Sequence, residues 1–515
     1  MTTDDAAETR DRSAAPVELE IKFQLSEESA KRLAALPALC PPGTGAPEPR
    51  REVTTYFDTP DGEIARQGGS LRIRQAAGHC VQTLKLRRPG ANPFDRGEWE
   101  WPLAESRLDP GLLRGTPLEE LAGLGHRLRP VFTADVRRSV LSLRREDAVI
   151  EVSHDEGMLR AGEVAEAIRE IELELKEGEP GALFRFAAAL HAAVPLRLGA
   201  ESKSDRGWRL RTGQPRAAED PAEPAIESDA PATDALRRIL GAGLGSLLAN
   251  LPAASAGGAE GVHGMRVAVR RLRAALALFR PHLDPAAEAR FTAALRELGR
   301  ALGGPRDWDV FCTQTLGEAA SDGVDGPLLD ALRRAADARR AEAHNRLREA
   351  LAGPDLTTLV LDLMAWAEDP AALTGVPDGG RMAAPVGDLA PGLEARLERK
   401  VVRRGRHIRR RDDEALHALR KSLKRLRYGV AFLAPLHRPK RVRHYLKGCK
   451  VLQEDLGAFN DAAVAAALAA ELLAGDPALA PSVTALQDWA AARQDRARGH
   501  LRRGWRRFRA ESLPD

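Results

Sequence analysis

Two carboxylates and an ammonium stand at every second position in Glu18-Leu19-Glu20-Ile21-Lys22. Alternation with period two marks a β-strand, whose successive side chains point to opposite faces. Val17, Leu19, Ile21 and Phe23 fall on one face; Glu18, Glu20 and Lys22 fall on the other. Such a row can grip a metal ion and an anion bound to it. The pattern returns downstream. Leu71-Arg72-Ile73-Arg74 sets two guanidiniums on one face, and Leu84-Lys85-Leu86-Arg87 an ammonium and a guanidinium. Glu98 and Glu100 alternate with Trp99 and Trp101, and the stretch after Ile150 offers Glu151 and Asp155. Glu170-Ile171-Glu172-Leu173-Glu174-Leu175-Lys176 nearly repeats the first strand.

The elements that must position these groups follow from their uniformity. In most antiparallel sheets one face packs and the other meets water. Here the polar faces carry long Arg, Lys and Glu almost exclusively, which fits a closed barrel with a charged lumen. Its apolar outer face would lie under helices such as those predicted at 27–36 and 180–198. An empty lumen of this kind is costly, because two like charges about 6 Å apart repel by roughly 3 kcal/mol at an effective dielectric near 20. The cations need acidic strands or a polyanion. A linear polyphosphate suits, since its oxygens accept charge-assisted hydrogen bonds from guanidinium forks. The acidic strands bearing Glu18/Glu20 and Glu172/Glu174 would hold a divalent cation against it.

With 515 residues, at least two domains are expected. The 43 % hydrophobic content suits a globular chain, and no run of about eighteen apolar residues predicts a membrane span. Residues 1–15 read as a disordered, polar tail with no secretory core. Cys40, Cys80, Cys312 and Cys449 are scattered without a CxxC pair, which points to a reducing cytoplasm. The net charge of +4 does not by itself announce a nucleic-acid binder. Strand patterns run over 16–210, a Pro/Ala/acidic stretch at 211–233 reads as a linker, and helical spacing fills 234–515. A Pro/Gly-rich gap divides that last region into halves of about 234–368 and 393–515.

The first region resembles the CYTH, or triphosphate tunnel metalloenzyme, family. Glu18-Leu-Glu20-Ile-Lys22 matches its ExExK signature, and the LRIR, TLK, RxExE and ExExE segments follow in its order. The Ser202-Lys203-Ser204-Asp205-Arg206-Gly207 segment resembles its closing strand. The resemblance implies an eight-stranded antiparallel tunnel acting on triphosphate compounds with Mg²⁺ or Mn²⁺. It makes Lys22, Arg72, Arg74, Lys85, Arg87, Arg138 and Lys203 the phosphate ligands, with Arg137 able to trade places with Arg138. It makes Glu18, Glu20, Glu172 and Glu174 the metal ligands, with Glu18, Glu20 and Lys22 central to catalysis. Glu98, Glu100, Glu151, Asp155 and Glu170 would support them, Glu170 as a neighbour at a strand start.

The second region contains a duplication. The helix around His263, Arg266, Arg270 and Arg273 matches that around His417, Arg420, Lys424 and Arg427, at an offset of 417 − 263 = 154. Leu302-Gly303 through Asp307 matches Leu456-Gly457 through Asp461 at the same 154. An unchanged offset argues for two copies of one helical unit. Met265, Val269 and Leu272, like Leu419, Leu423 and Leu426, form apolar stripes backed by basic faces. Aromatic residues that could stack bases are nearly absent from those faces, so a ligand made of phosphates is expected rather than nucleic acid. Asp307 and Asp461 read as helix caps after Gly turns. This half resembles the CHAD domain, which implies two pseudo-symmetric helical bundles binding inorganic polyphosphate, with association with polyphosphate granules. The expectation is α+β overall: a cytoplasmic inorganic triphosphatase with a polyphosphate-binding module. A hydrolase or cyclase acting on thiamine triphosphate or ATP, and a binding-only polyphosphate protein, remain the alternatives.

Overall fold

The computed structural model describes residues 17–39, 47–88, 90, 92–145, 147–215, 217–377 and 379–514. The tail expected at 1–15 and Cys40 lie outside them; Cys80, Cys312 and Cys449 are free thiols. The chain divides into two compact units, the first ending at 216 and the second beginning at 217.

The first unit runs β1 (Val17–Gln24), α1 (Glu27–Ala34), β2 (Arg50–Asp58), α2 (Glu63–Arg66), β3 (Gly69–Ala76), β4 (His79–Arg87) and β5 (Asp95–Leu103). It continues with β6 (Arg129–Arg145), β7 (Ala148–Ala161), β8 (Val164–Glu177), α3 (Pro180–Ala193), β9 (Arg197–Leu198) and α4 (Lys203–Thr212). The strand order is β5-β4-β3-β2-β6-β7-β8-β1-β9, and a β1–β5 pairing closes eight antiparallel strands into a barrel, with short β9 appended to β1. Strand β1 makes the closure by dividing its length. Val17–Leu19 pair with β5, and Leu19–Gln24 with β8. The alternation does what its chemistry requires. Leu19, Ile21 and Phe23 are buried on the outer face. Phe184 of α3 is fully buried and lies 5.6 Å from Phe94, ring centre to ring centre.

The closing strand expected at Lys203 is instead a helix. Ser202 accepts from the Asp205 backbone while Asp205 accepts from the Ser202 backbone, a reciprocal capping box that starts α4. This helix lies across one end of the lumen. A Cβ on Gly207 would fall 2.3 Å from Phe132, and Trp208 packs edge-on to Phe132 beside Tyr56. Arg137 is outward and exposed, whereas Arg138 is inward.

The second unit is helical: α5 (Ala232–Ser255), α6 (Ala259–Phe279), α7 (Pro285–Ala301), α8 (Gly303–Val310), α9 (Leu316–Ser321), α10 (Gly326–Ala352), α11 (Pro354–Ala367) and α12 (Pro370–Thr374), then α13 (Val386–Gly405), α14 (Asp413–Phe432), α15 (Pro439–Gly475) and α16 (Ala480–Ala510). The offset of 154 holds at four helix starts: 232 to 386, 259 to 413, 285 to 439 and 326 to 480. It also holds where one copy is broken. The first copy splits 285–321 into α7, α8, a π-turn at Phe311–Thr315 and α9, whereas 439–475 is one helix. At the junction Ala232 N donates to Ala384 O (3.0 Å) and Val386 N to Ala230 O (2.8 Å), two bonds that the 154-residue shift exchanges.

Two readings change here. The stretch 211–233 is not a uniform linker, because Glu219, Glu223 and Ile226 pack onto the helices that follow. Helix α15 contains an 18-residue window of mean hydropathy 1.4, long and apolar enough to cross a membrane. Alanines dominate its apolarity, and Ala462, Ala469 and Leu472 sit in a core cluster with Leu486 of α16.

Candidate functional site

Register assembles the lumen. Glu20 pairs with Glu174, Lys22 with Glu172, Lys85 with Glu98, and Asp155 with Glu170, so these side chains share the inner face. Two constellations result. In the first, Lys85 Nζ lies 2.5 Å from Glu18, 3.2 Å from Glu98 and 3.6 Å from Glu20. Arg72 stands 3.8 Å from Glu98 and Arg74 3.0 Å from Glu100. In the second, Glu172 is surrounded by Lys22 (2.8 Å), Arg138 (2.7 Å) and Lys203 (2.9 Å). Asp155 takes a two-pronged bond from Arg138 (2.7 and 2.6 Å) and contacts Lys203 at 2.7 Å.

Helix α4 supplies the inner cations from one end. Lys203 also contacts Glu170, and Arg206 reaches Glu170 at 3.4 Å, while Asp205 receives Arg87 at 3.0 Å. Glu170 is therefore a buried mid-strand group, six residues beyond the β8 start at Val164, rather than a neighbour at the strand's beginning. Glu174 meets Lys176 at 2.6 Å, and Glu151 lies 3.9 Å from that lysine.

The carboxylates differ sharply in acidity. Burial, with Glu20 alongside, pushes Glu18 up to about 8 against the pull of Lys85. Burial and Glu172 press Glu20 the same way, yet Lys22 and Lys85 outweigh them and hold it down at about 2. Against burial, Lys203, Lys22 and Arg138 keep Glu172 well below the usual carboxylate range. Burial raises Glu174.

The helical unit gathers part of its basic set. Arg266 bonds Asp307 at 3.0 Å, and its counterpart Arg420 lies 3.6 Å from Asp461. Both aspartates lie within helices, so they partner arginines and cap nothing; Gly457 is mid-helix and makes no turn. Arg270, Arg420 and Lys424 face one another, and burial with Arg420 and Arg270 pulls Lys424 down to about 7. His263 is lowered by burial and Arg306. His417 contacts Asn460 at 2.8 Å. Arg273 and Arg427 part from this group, Arg273 toward Arg296 and Arg427 toward Gln453 at 2.6 Å. The Nε atoms of Arg270, Arg273, Arg420 and Arg427 are buried without a hydrogen-bond partner.

The CYTH domain profile matches residues 17–208 and the CHAD domain profile residues 238–470. The chain carries a CYTH domain followed by a CHAD domain. An inorganic triphosphatase of Haemophilus influenzae is 35 % identical over 163 residues, 31 % of this chain and 46 % of that protein. The chain thus spans about half the length of that relative. An uncharacterised protein of Mycobacterium tuberculosis is 26 % identical over 454 residues, 79 % of this chain and 80 % of its own. The crystal structure of the CHAD domain from the plant Ricinus communis is similar at 28 % identity and a TM-score of 0.50, covering 58 % of this chain and 99 % of that one.

A hard divalent cation fits the CYTH lumen. Glu20 Oε1 is buried without a directed hydrogen bond, with Lys22 Nζ 2.5 Å away as an ion pair. Glu20 thus offers a carboxylate oxygen that the fold has not fully satisfied, with the Glu18 and Glu174 carboxylates on the same inner face. Asp155, Glu170 and Glu172 bring one oxygen each within 4.8 Å of one another, but Lys203 already stands among them. Sequence reasoning gave Arg96 no role and named Arg206, with Lys203, only as part of the expected closing strand. Arg96 sits two residues before Glu98 on the same strand face, a phase readable from the alternation. Arg206 needed the helical period of α4, hidden while that segment was taken as a strand.

Proposed function

We propose that the CYTH barrel hydrolyses inorganic triphosphate and that the CHAD domain binds inorganic polyphosphate. The observation that carries the first part is the closed lumen, in which Lys22, Arg72, Arg74, Lys85, Arg87, Arg138 and Lys203 converge with buried carboxylates. The Haemophilus relative's name supports the substrate class. Lysines 22 and 85 exchange carboxylate partners for phosphoryl oxygens as triphosphate enters. Glu18, Glu20 and Glu172, relieved of those lysines, would hold Mg²⁺ or Mn²⁺ together with Glu174, whose own partner is Lys176. The ion, when bound, neutralises phosphoryl charge and polarises the scissile P–O bond. Arg138 and Lys203, anchored by Asp155, orient the chain for in-line attack by water on a terminal phosphorus, yielding orthophosphate and pyrophosphate.

Orthophosphate release from tripolyphosphate, ATP and thiamine triphosphate under Mg²⁺ and Mn²⁺ tests this reading. Tripolyphosphate should turn over fastest, and Glu18→Gln or Glu20→Gln should cost about 100-fold or more. Faster release from ATP, or wild-type rates in both variants, would sink it. For the CHAD domain, the full chain should co-sediment with long-chain polyphosphate, and Arg270→Glu with Lys424→Glu should abolish that.

A further inference from the structure

The two halves of the CHAD domain match by a constant offset, yet one groove differs between them. In the first half, the segment before α5 lies over α5 and α6. Glu223 meets Arg271 in a two-pronged ion pair (3.0 and 2.8 Å), and Asn250 exchanges hydrogen bonds with the Glu219 backbone (3.2 and 3.1 Å). In the second half, positions 154 further on carry other chemistry. Ala242, Ser246 and Asn250 become Arg396, Lys400 and Arg404, and Glu223 becomes Pro377, while Arg271 keeps its charge as Arg425. The acid is lost where the cations accumulate.

A cavity of about 340 Å³ opens at this place, lined by Arg273, Arg280, Arg296, Arg396, Lys400 and Arg425, with Glu288 the one carboxylate among the described lining residues. Glu288 is already engaged by Arg280 at 3.3 Å and Thr292 at 2.9 Å. Arg396 is fixed in place, donating to the Ala277 and Leu278 carbonyls at 2.5 and 2.8 Å. Even so, Arg273 Nε and Arg396 Nε are buried with no hydrogen-bond partner. Burial and the neighbouring cations lower the proton affinity of Arg273, Arg396, Lys400 and Arg425 alike. A cavity of this size, walled by cations of which Arg396 is held in place and Arg273 and Arg396 keep unpartnered Nε donors, has the chemistry to receive a multiply charged oxyanion.

We propose that this cavity binds a compact oligophosphate such as tripolyphosphate, in the place that the acidic Glu219–Glu223 segment fills in the other half. The site is separate from the Arg266/Arg270/Arg420/Lys424 face and does not depend on what that face binds. Its geometry suits a short ligand or the end of a long one, and the two are distinguished below.

The test is site-resolved. The full chain, held in EDTA to stop metal-dependent turnover, is acetylated with a lysine-reactive ester, and labelling rates are read by peptide mass spectrometry. At about ten times its dissociation constant, tripolyphosphate should slow labelling of Lys400 about tenfold and leave the exposed Lys31 unchanged. Arg396→Gln and Arg425→Gln should each remove most of that protection. Arg425→Lys, which keeps the charge, and Lys424→Gln, on the other face, should preserve it. No protection of Lys400, protection that survives Arg425→Gln, or protection lost in Lys424→Gln would overturn the proposal. So would protection by long-chain polyphosphate alone; protection by both probes assigns the site to chain ends as well as short ligands.

Discussion

The CYTH lumen and the CHAD basic face solve opposite electrostatic problems. In the lumen Lys22, Arg72, Arg74, Lys85, Arg87, Arg138 and Lys203 each have a carboxylate within 4 Å, and Glu172 alone holds three cations. On the CHAD face Arg270, Arg420 and Lys424 have each other, with Asp307 and Asp461 turned to Arg266 and Arg420. The proposed function accounts for the difference: a site admitting both metal and phosphate would need both signs of charge, whereas a site for phosphate alone could be left unbalanced, its deficit repaired by the ligand.

The sharpest way to break this contrast is to remove a charge from each side. Glu172→Gln should strand Lys22, Arg138 and Lys203 and destabilise the CYTH barrel by about 3 kcal/mol or more, read from its urea midpoint. A loss under about 1 kcal/mol would mean the lumen is not internally balanced. Arg270→Gln should do the reverse in the CHAD domain. At low salt it should raise the melting temperature slightly, by about 0.5 kcal/mol of stability, while weakening polyphosphate binding. A clear destabilisation would show that Arg270 has a partner inside the fold.

Acidity sharpens the comparison further. Lys424 has its folded value depressed to about 7 from 10.5, so its contribution to stability rises as pH climbs from about 7 toward 10.5. Binding runs the other way, because the polyanion needs the ammonium form. Polyphosphate affinity should fall about tenfold between pH 6 and pH 8, and Lys424→Arg should flatten that step. A wild-type profile as flat as that of the arginine variant would remove Lys424 from the binding face.

Much of this was legible because strands and helices write their faces periodically. The inward set from Glu18 to Glu174 follows from alternation, and the halves of the CHAD domain from an offset that never drifts. What escaped did so for stated reasons. Family order places Lys203 on a strand, but the Ser202/Asp205 capping box, a local signal, starts a helix there. Asp307 and Asp461 read as caps in sequence because their partners, Arg266 and Arg420, lie on other helices and no local rule connects them. The Arg396/Lys400 cavity was invisible to motif matching, since it appears only when α13 is laid against α5, where the equivalent residues are uncharged.

The reciprocal bonds from Ala232 to Ala384 and from Val386 to Ala230 are those that two identical subunits would exchange across a dyad. The CHAD domain is in this sense a homodimer encoded in tandem. Two separate copies would have to mutate together. Joined end to end, each half is free to differ alone, so that one groove can carry an acidic strap while its twin carries a cluster of cations.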